Sequence, residues 1–496
     1  MRLWIGVHLP LFALETLRPL WCDPGLHAVL DREHVLAMTP EAAQDGVRIG
    51  MRRGGVAAVC PAATLHERDL AQEQAALEAI ALALLQYTPE VALAEESSLL
   101  LDVTASLRAF GGRLALCRLV RARIRALGFS AQIATAPTAQ GAWLLARYAP
   151  RRGLALQRPI LRRTLKISTL SRRLDALPFA VLPAARLHQD WLTGIGCRTL
   201  GDVRALPRAG LQRRCGKDVL SALDRALGHA PELFEWVQAP QTFSARLELP
   251  DRIEHAEAVL FAARRLILQM IGWLVAQQLA VTRFVLMLEH ERGRQAIAPT
   301  ALEIALAEPA WHEEHLIRLL KERLARLELT APLIAIRLEA AQVAPMVPPS
   351  GALFPEPGGT PADYSRLLEL LSARLGADNV LAPAPRADYR PEVCNGWLPA
   401  TAANTTHVPV PNTPNTERPF WLLEQPIALL MRDHRPFYGS PLRLIRGPER
   451  IESGWWDHAL AVRDYFVAQG ADAACYWIYR ERASDQARWF LHGLFG

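Results

Sequence analysis

The chain has 496 residues, 51% of them hydrophobic and 21% charged, with a formal charge of +6 and a pI near 9.1. That is an ordinary soluble composition with room for about three to five domains. The longest apolar stretch, around Ala75 to Leu85, is too short to span a bilayer and reads as a buried helix, so no membrane is expected. The start lacks the pattern of a secretory signal. Seven scattered cysteines without a C-x-x-C pair argue against zinc and fit reduced thiols in a cytoplasm.

Trp4 to Leu14 is an apolar run with strand character, ending in a carboxylate at Glu15. Up to residue 150, strand-like and helix-like segments alternate: a helix through Leu77 to Gln86, a strand from Leu99 to Val103 and a helix from Leu107 to Leu127. The mixture predicts an α/β domain with a small insertion around residues 20 to 70. Between residues 147 and 173 stand nine basic residues and no acidic one: Arg147, Arg151, Arg152, Arg158, Arg162, Arg163, Lys166, Arg172 and Arg173. Such a run is either a solvated face or a phosphate contact.

Leu192 to Val203 contains Gly194-Ile195-Gly196 and Arg198, and is followed by Arg204, Arg208, Arg213, Arg214 and Lys217. It resembles a helix-hairpin-helix, in which glycines let a tight hairpin approach a nucleic-acid backbone and helix-start amides cap a phosphate. The plainer reading is an αα turn with a glycine C-cap. From Phe243 to about Gln342 the order is β-α-β-β-α-β: strand Phe243 to Leu249, helix Ala256 to Gln277, strands Arg283 to Glu289 and Ala301 to Leu306, helix Glu313 to Leu327, strand Ile334 to Glu339. Its charges are mixed, which permits binding without requiring it.

Residues 343 to 362 are rich in Pro and Gly and are expected to pack as neither helix nor sheet, with one apolar pair at Leu353-Phe354. A helix is expected over residues 363 to 386 and a loop from Ala400 to Glu417. The last 75 or so residues are aromatic and β-like, including Trp455-Trp456 and Trp489-Phe490. Such density fits a small β core or a binding face for another protein. Glu452, Asp457, His458 and Asp464 match no metal-ligand spacing, so no metal is expected there.

Trp4 to Glu15 resembles the opening strand of Y-family DNA polymerases, roughly I-D-x-D-x-F-F-A-x-V-E, and Glu95 to Thr104 resembles their S-I-D-E-A-F-L-D-V-T hairpin. On those patterns the catalytic Asp falls on Gly6, the second acidic position on His8 and the Asp-Glu pair on Ser97 and Ser98. Asp45 to Met51 resembles the fingers motif F-G-V-K-x-G-M, and the Tyr and Arg that hold the incoming triphosphate fall on Pro40 and Ala43. The palm lysine is replaced by Ala139 and Gln140. Nucleotidyl transfer relies on two divalent cations held by clustered carboxylates, so the resemblance implies a polymerase body with no catalytic residue, metal or cofactor. A register shifted by one or two would make Glu95 and Glu96 the acidic pair and Glu15 the third ligand. Residues 1 to 14 would still contain no Asp or Glu.

The implied fold class is α/β, a multidomain α+β chain: palm 1–20 and 71–165, fingers 21–70, helix-hairpin-helix thumb 166–240, little finger 241–342, linker 343–362 and a C-terminal partner-binding region 363–496. This order, with Gly447 to Asp457 and Trp489 to Phe495, closely resembles ImuB proteins, polymerase-like subunits of the bacterial damage-induced mutasome. The resemblance implies a cytoplasmic, nucleoid-associated scaffold that grips primer-template DNA without sequence preference. Candidate DNA contacts are Gly194, Ile195, Gly196, Arg198, Arg213, Arg214, Lys217, Arg162 and Arg163. Leu353 and Phe354 would engage the sliding clamp through a degenerate motif, Ser350 standing where Gln is usual. Trp455, Trp456, Trp489 and Phe490 would meet a RecA-like ImuA-type protein and an error-prone C-family DNA polymerase. The competing expectations are a working translesion polymerase with relocated ligands and a DNA-binding regulator unconnected with replication.

Overall fold

The computed structural model describes residues 2–22, 25–148, 162–291, 297–347, 361–400, 418–482 and 488–495, which divide between two units, Met1–Gly359 and Thr360–Gly496. In the first, the opening apolar run is strand β1 (Trp4–His8), with Trp4 to Val7 buried because it lies inside the palm sheet, and helix α1 (Phe12–Leu17) follows. The insertion folds as expected into a small domain of β2 (His27–Asp31), β3 (His34–Met38), α2 (Pro40–Gln44), α3 (Arg53–Val59) and β4 (Thr64–Glu67), around Leu30, Val35, Val47 and Val56.

The palm then resumes with α4 (Leu70–Leu84), β5 (Val91–Ala94), β6 (Ser98–Asp102), α5 (Arg113–Ala126), β7 (Gln132–Ala136) and α6 (Ala139–Arg147). Helix α4 starts earlier than expected because the Asp69 carboxylate accepts the amides of Ala71 and Gln72 at 2.9 and 3.0 Å. Helix α5 starts later, since Gly111 and Gly112 hold φ of 71° and 92°, outside helical space. The sheet order is β5-β6-β1-β7, which sets Gly6 between Leu100 and Ala134 and His8 between Ser98 and Gln132.

The thumb is helical: α7 (Ile167–Asp175), α8 (Pro183–Arg186), α9 (Gln189–Gly194), α10 (Leu200–Ala205) and α11 (Arg208–Leu227). Its Leu170, Leu192, Val203 and Leu223 share one core with Trp143 and Leu145 of α6. The little finger has the expected order, with longer strands: β8 (Ser244–Ile253), α12 (Val259–Gln277), β9 (Leu279–His290), β10 (Thr300–Ala310), α13 (Glu313–Leu324) and β11 (Leu333–Pro345), in the sheet β10-β9-β11-β8. Val343, Ala344 and Pro345, assigned above to the linker, instead pair with Val281, Ala280 and Leu279. A proline at the last rung takes no further ladder bond from the sheet.

The long apolar helix of the chain is α12 rather than Ala75 to Leu85. Residues Ala256–Gln277 are long and apolar enough to cross a membrane, but 72% of that window is buried, under the little-finger sheet and against α4. A Cβ on Gly272 would sit 2.1 Å from the Leu82 carbonyl oxygen, so the two helix backbones touch there.

In the second unit α14 (Pro361–Leu375) stops at Gly376, whose φ of 95° ends it well short of residue 386. Leu381–Pro385 and Asn395–Pro399 pair as two antiparallel strands. The aromatic tail forms a five-stranded antiparallel sheet, in the order Trp421–Ala428, Arg488–Leu494, Cys475–Glu481, Ala461–Gln469 and Arg443–Ser453. Ile451, Tyr465, Trp477 and Tyr479 form one of its cores.

Gly272→Val is expected to destabilise the first unit by about 1–3 kcal/mol through overpacking, seen as a lower Tm by circular dichroism. Gly210→Ala, with no atom within 4 Å of the new Cβ, should leave the Tm unchanged or raise it slightly.

Candidate functional site

The register of β1 against β6 sets His8 opposite Ser98 and Gly6 opposite Leu100. Helix α6 covers this face so closely that a Cβ on Gly6 would lie 2.6 Å from the Ala142 carbonyl carbon and 2.9 Å from the Trp143 nitrogen. Real Cβ atoms do not approach backbone so near, so residue 6 has no space for a side chain. Beside it, His8 Nδ1 lies 3.1 Å from the Glu96 carbonyl and 3.2 Å from Ser98 Oγ, while Ser98 Oγ donates to that same carbonyl at 2.9 Å. Burial, aided by Arg147 and Arg162, pushes the imidazole down to about 4. The ring is therefore neutral at pH 7.

The β5–β6 turn bends through Glu96 and Ser97 with φ of 55° and 49°. Its Glu96 carboxylate is gripped by Arg147 and Arg186. Arg147, with a side chain 7% exposed, also donates to the Val181 carbonyl at 2.6 Å and stacks 4.4 Å above Trp143, whose Nε1 donates to the Glu95 carbonyl at 3.2 Å. The triad of Arg147, Glu96 and Arg186 joins palm hairpin to thumb, and motif comparison did not find it. Its only sequence trace was Arg147 at the head of the basic run.

The carboxylates of the shifted register do not meet at this site. Glu15 is buried elsewhere, taking the Ser130 amide at 2.8 Å and its hydroxyl at 2.5 Å. Among the described residues, no three of His, Cys, Asp or Glu gather closely enough to hold a metal ion. At the start of α6, where the palm lysine was sought, the Ala139 and Gln140 amides donate to Glu232 at 2.9 and 2.8 Å. Pro40 opens α2, where the Ala43 amide donates to the Thr39 carbonyl at 3.1 Å and the Ala43 carbonyl accepts from Arg48 at 2.8 Å and from the Gly46 amide at 3.3 Å.

In the thumb, α9 and α10 are joined by a hairpin with Gly196 at φ 87°, and Ile195 is exposed. The amides of Arg198 and Thr199 both go to Asp202 Oδ2 at 2.9 Å, within a capping box. Those two amides are thus satisfied within the chain and are not free to cap a phosphate. Arg198, Arg213, Arg214 and Lys217 are exposed; among the described residues the last three have no side-chain partner, while Arg198 is attracted to Asp202. Sequence reading took the last three as a basic stretch, but they flank a break in α11, where Gly216 has φ 71°. The signal was there, a glycine inside a helical apolar pattern.

Arg162 corrects an expectation, being turned inward to donate to the Tyr148 carbonyl at 2.6 Å and Gln132 Oε1 at 3.0 Å. Arg163 is exposed and its carbonyl accepts from Arg173. Arg151, Arg152, Arg158, Leu353 and Phe354 lie outside the described residues. In the tail, Trp455 and Trp456 are 75% and 51% exposed, on a turn where Arg390 binds Asp457 at 2.6 Å. Trp489 and Phe490 sit instead in strand packing, Trp489 against Phe466 and Phe490 stacked on Tyr479, both half-buried. Asp464 is held by Arg450 and Arg482 at 2.8 and 3.2 Å, so the sequence cluster near it is engaged in ion pairs.

Residues 18–147 match the impB/mucB/samB family, IMS. Two relatives named Protein ImuB, from strains NA1000 / CB15N and ATCC 19089 / CIP 103742 / CB 15 of Caulobacter vibrioides, are each 27% identical over 478 residues, covering 91% of this chain and all of theirs. Among solved structures, a Dbh ternary complex is 18% identical with a TM-score of 0.37, and DinB from Sulfolobus solfataricus 17% with 0.36; each comparison covers 68% of this chain and 98% of the other. The chain thus resembles ImuB over nearly its whole length and carries a segment matching the impB/mucB/samB family.

Gly6→Asp is expected to lower stability by about 1–3 kcal/mol, and with Ser97→Asp and Ser98→Glu added it should confer no magnesium affinity in isothermal titration calorimetry; tight, stoichiometric magnesium binding would overturn the closed-palm geometry. His8 makes a pH-dependent contribution. The unfolded chain protonates this residue below about 6.5, the folded chain only near 4, so its stabilising effect is present at pH 7 and lost as pH falls through that window. The Tm advantage of the native chain over His8→Gln should shrink between pH 7 and 4.5, and a constant difference would refute the assignment.

Proposed function

We propose that the chain is a non-catalytic Y-family polymerase homologue acting as a DNA- and clamp-binding adaptor, which brings an error-prone C-family polymerase to damaged template in induced mutagenesis and translesion synthesis. The closed palm carries the reading. Two-metal phosphoryl transfer needs carboxylates converging on the reacting oxygens. This palm has at those positions a glycine without room for a side chain, a neutral imidazole, two serines and a buried guanidinium that repels divalent cations. Similarity to Protein ImuB over 91% of the chain supports the same conclusion.

DNA would be held at the thumb by Arg198, Arg213, Arg214 and Lys217, through phosphates and without sequence preference. Leu353 and Phe354 would fill the hydrophobic pocket of the sliding clamp. The tail, with Trp455 and Trp456 exposed, would hold a RecA-like ImuA-type protein and the C-family polymerase. Tethering raises the local concentration of the partner at the lesion and requires no new chemistry. The setting would be the cytoplasm, on the nucleoid.

The purified chain is expected to extend no primer with magnesium or manganese, and clamp capture is expected to be lost in the Leu353→Ala, Phe354→Ala double variant. Nucleotide addition by the chain alone would overturn the adaptor reading.

A further inference from the structure

The little-finger sheet has one face covered and one open. Phe284, Leu286, Leu288, Ile336 and Leu338 are buried on the side of α12 and α13. On the other side the register aligns Glu303, Val285 and Glu339 in one row, Ala301, Met287, Arg337 and Arg246 in the next, and Glu289, Ala335 and Glu248 in a third. Arg283 shares this face, opposite Ala305.

Each arginine on this open face is engaged by a neighbouring glutamate. Arg246 reaches Glu289 at 2.9 Å and Glu248 at 2.8 Å, Arg337 reaches Glu289 at 3.3 Å and Glu339 at 3.8 Å, and Arg283 reaches Glu303 at 2.8 Å. Three cations therefore face four carboxylates. The thumb differs: residues 166–240 contain 11 Lys or Arg against 7 Asp or Glu, whereas residues 241–345 contain 12 against 13. Its Arg213, Arg214 and Lys217 have no side-chain partner among the described residues.

Exposed pairs are weak, about 0–1 kcal/mol each, so the arginines are free to turn towards an arriving phosphate. The carboxylates remain, within hydrogen-bond reach of those guanidiniums and well inside a screening length of about 8 Å. A polyanion laid on this face meets repulsion that offsets the attraction.

We propose that the open face of the little-finger sheet is a latent phosphate-binding surface, neutralised within the chain by Glu248, Glu289, Glu303 and Glu339, so that the ionic grip on DNA falls to the thumb. This rests on the reading that the chain binds DNA. The glutamates set how strongly the little finger holds the duplex.

The test is binding of the full chain to a fluorescent primer-template by anisotropy across a salt series. Glu289→Gln, Glu303→Gln and Glu339→Gln together should tighten binding and steepen the log K against log salt slope by ~0.9 for each arginine freed to a phosphate. Arg246→Gln, Arg283→Gln and Arg337→Gln together should change affinity less than about twofold and leave the slope as it was. Arg213→Gln, Arg214→Gln and Lys217→Gln together should weaken binding and flatten the slope. An unchanged slope in the glutamate variant, or an arginine-variant loss equal to that of the thumb variant, overturns the proposal. If the native chain does not bind but the glutamate variant does, the latent face stands and the adaptor's DNA grip fails; if neither binds, both fail.

Discussion

The backbone of α6 rests on strand β1 at Gly6 more closely than any side chain would allow, and the arrangement of the palm follows from that contact. A glycine in an interior strand removes a side chain from one face of the sheet, and here a helix has moved into the space. Once α6 is seated, its residues Trp143 and Arg147, one turn apart, project along one face. Trp143 reaches back to the β5–β6 turn through the Glu95 carbonyl, and Arg147 lies on the indole with its guanidinium on Glu96 and Val181. A contact between two backbones thus decides where a buried cation sits.

That cation changes the electrostatics of the palm. Clustered carboxylates in a two-metal site repel one another until ions arrive. The Glu96 carboxylate of the β5–β6 turn already lies between two guanidiniums, and His8 carries no charge at neutral pH. At the other end of α6, Glu232 accepts two of the orphan amides, where the helix dipole favours an anion. The helix therefore has a negative group at its start and Arg147 in its last turn, both from the chain itself.

Much of the fold was legible because the little finger and palm obey simple periodicities. Alternating apolar residues marked the strands, and the β-α-β-β-α-β order followed. Boundaries failed where a local group overrode the pattern: Asp69 advanced α4, Gly111 and Gly112 delayed α5, and Gly376 cut α14 short. At the site, the pairing of the strand that holds Gly6 with the strand that begins at Ser98 could be read from motifs, but the lack of room for a side chain at residue 6 could not, since Ala142 is far away in sequence. Arg162 was indistinguishable from Arg163 in a run of like charges, and only the partners Tyr148 and Gln132 separate them. In the tail, aromatic density did not distinguish strand from turn. Trp489 and Phe490 lie on a strand and pack, whereas Trp455 follows Gly454, whose φ of 84° turns the chain outward.

The closed palm and the basic thumb are not independent features. Helix α6 contributes Trp143, Leu144 and Leu145 to the same core as Leu170, Leu192, Val203 and Leu223 of the thumb. Thr138, which caps α6, also donates to the Ala226 carbonyl at the end of α11 at 2.8 Å. To reopen space beside Gly6, α6 would have to lift away from β1, and it could not do so without disturbing the helices that carry Arg198, Arg213, Arg214 and Lys217. Dense cores resist such partial movement, because voids and strained rotamers both cost free energy. The packing that denies residue 6 a side chain is therefore also the packing that seats the helices carrying the thumb cations.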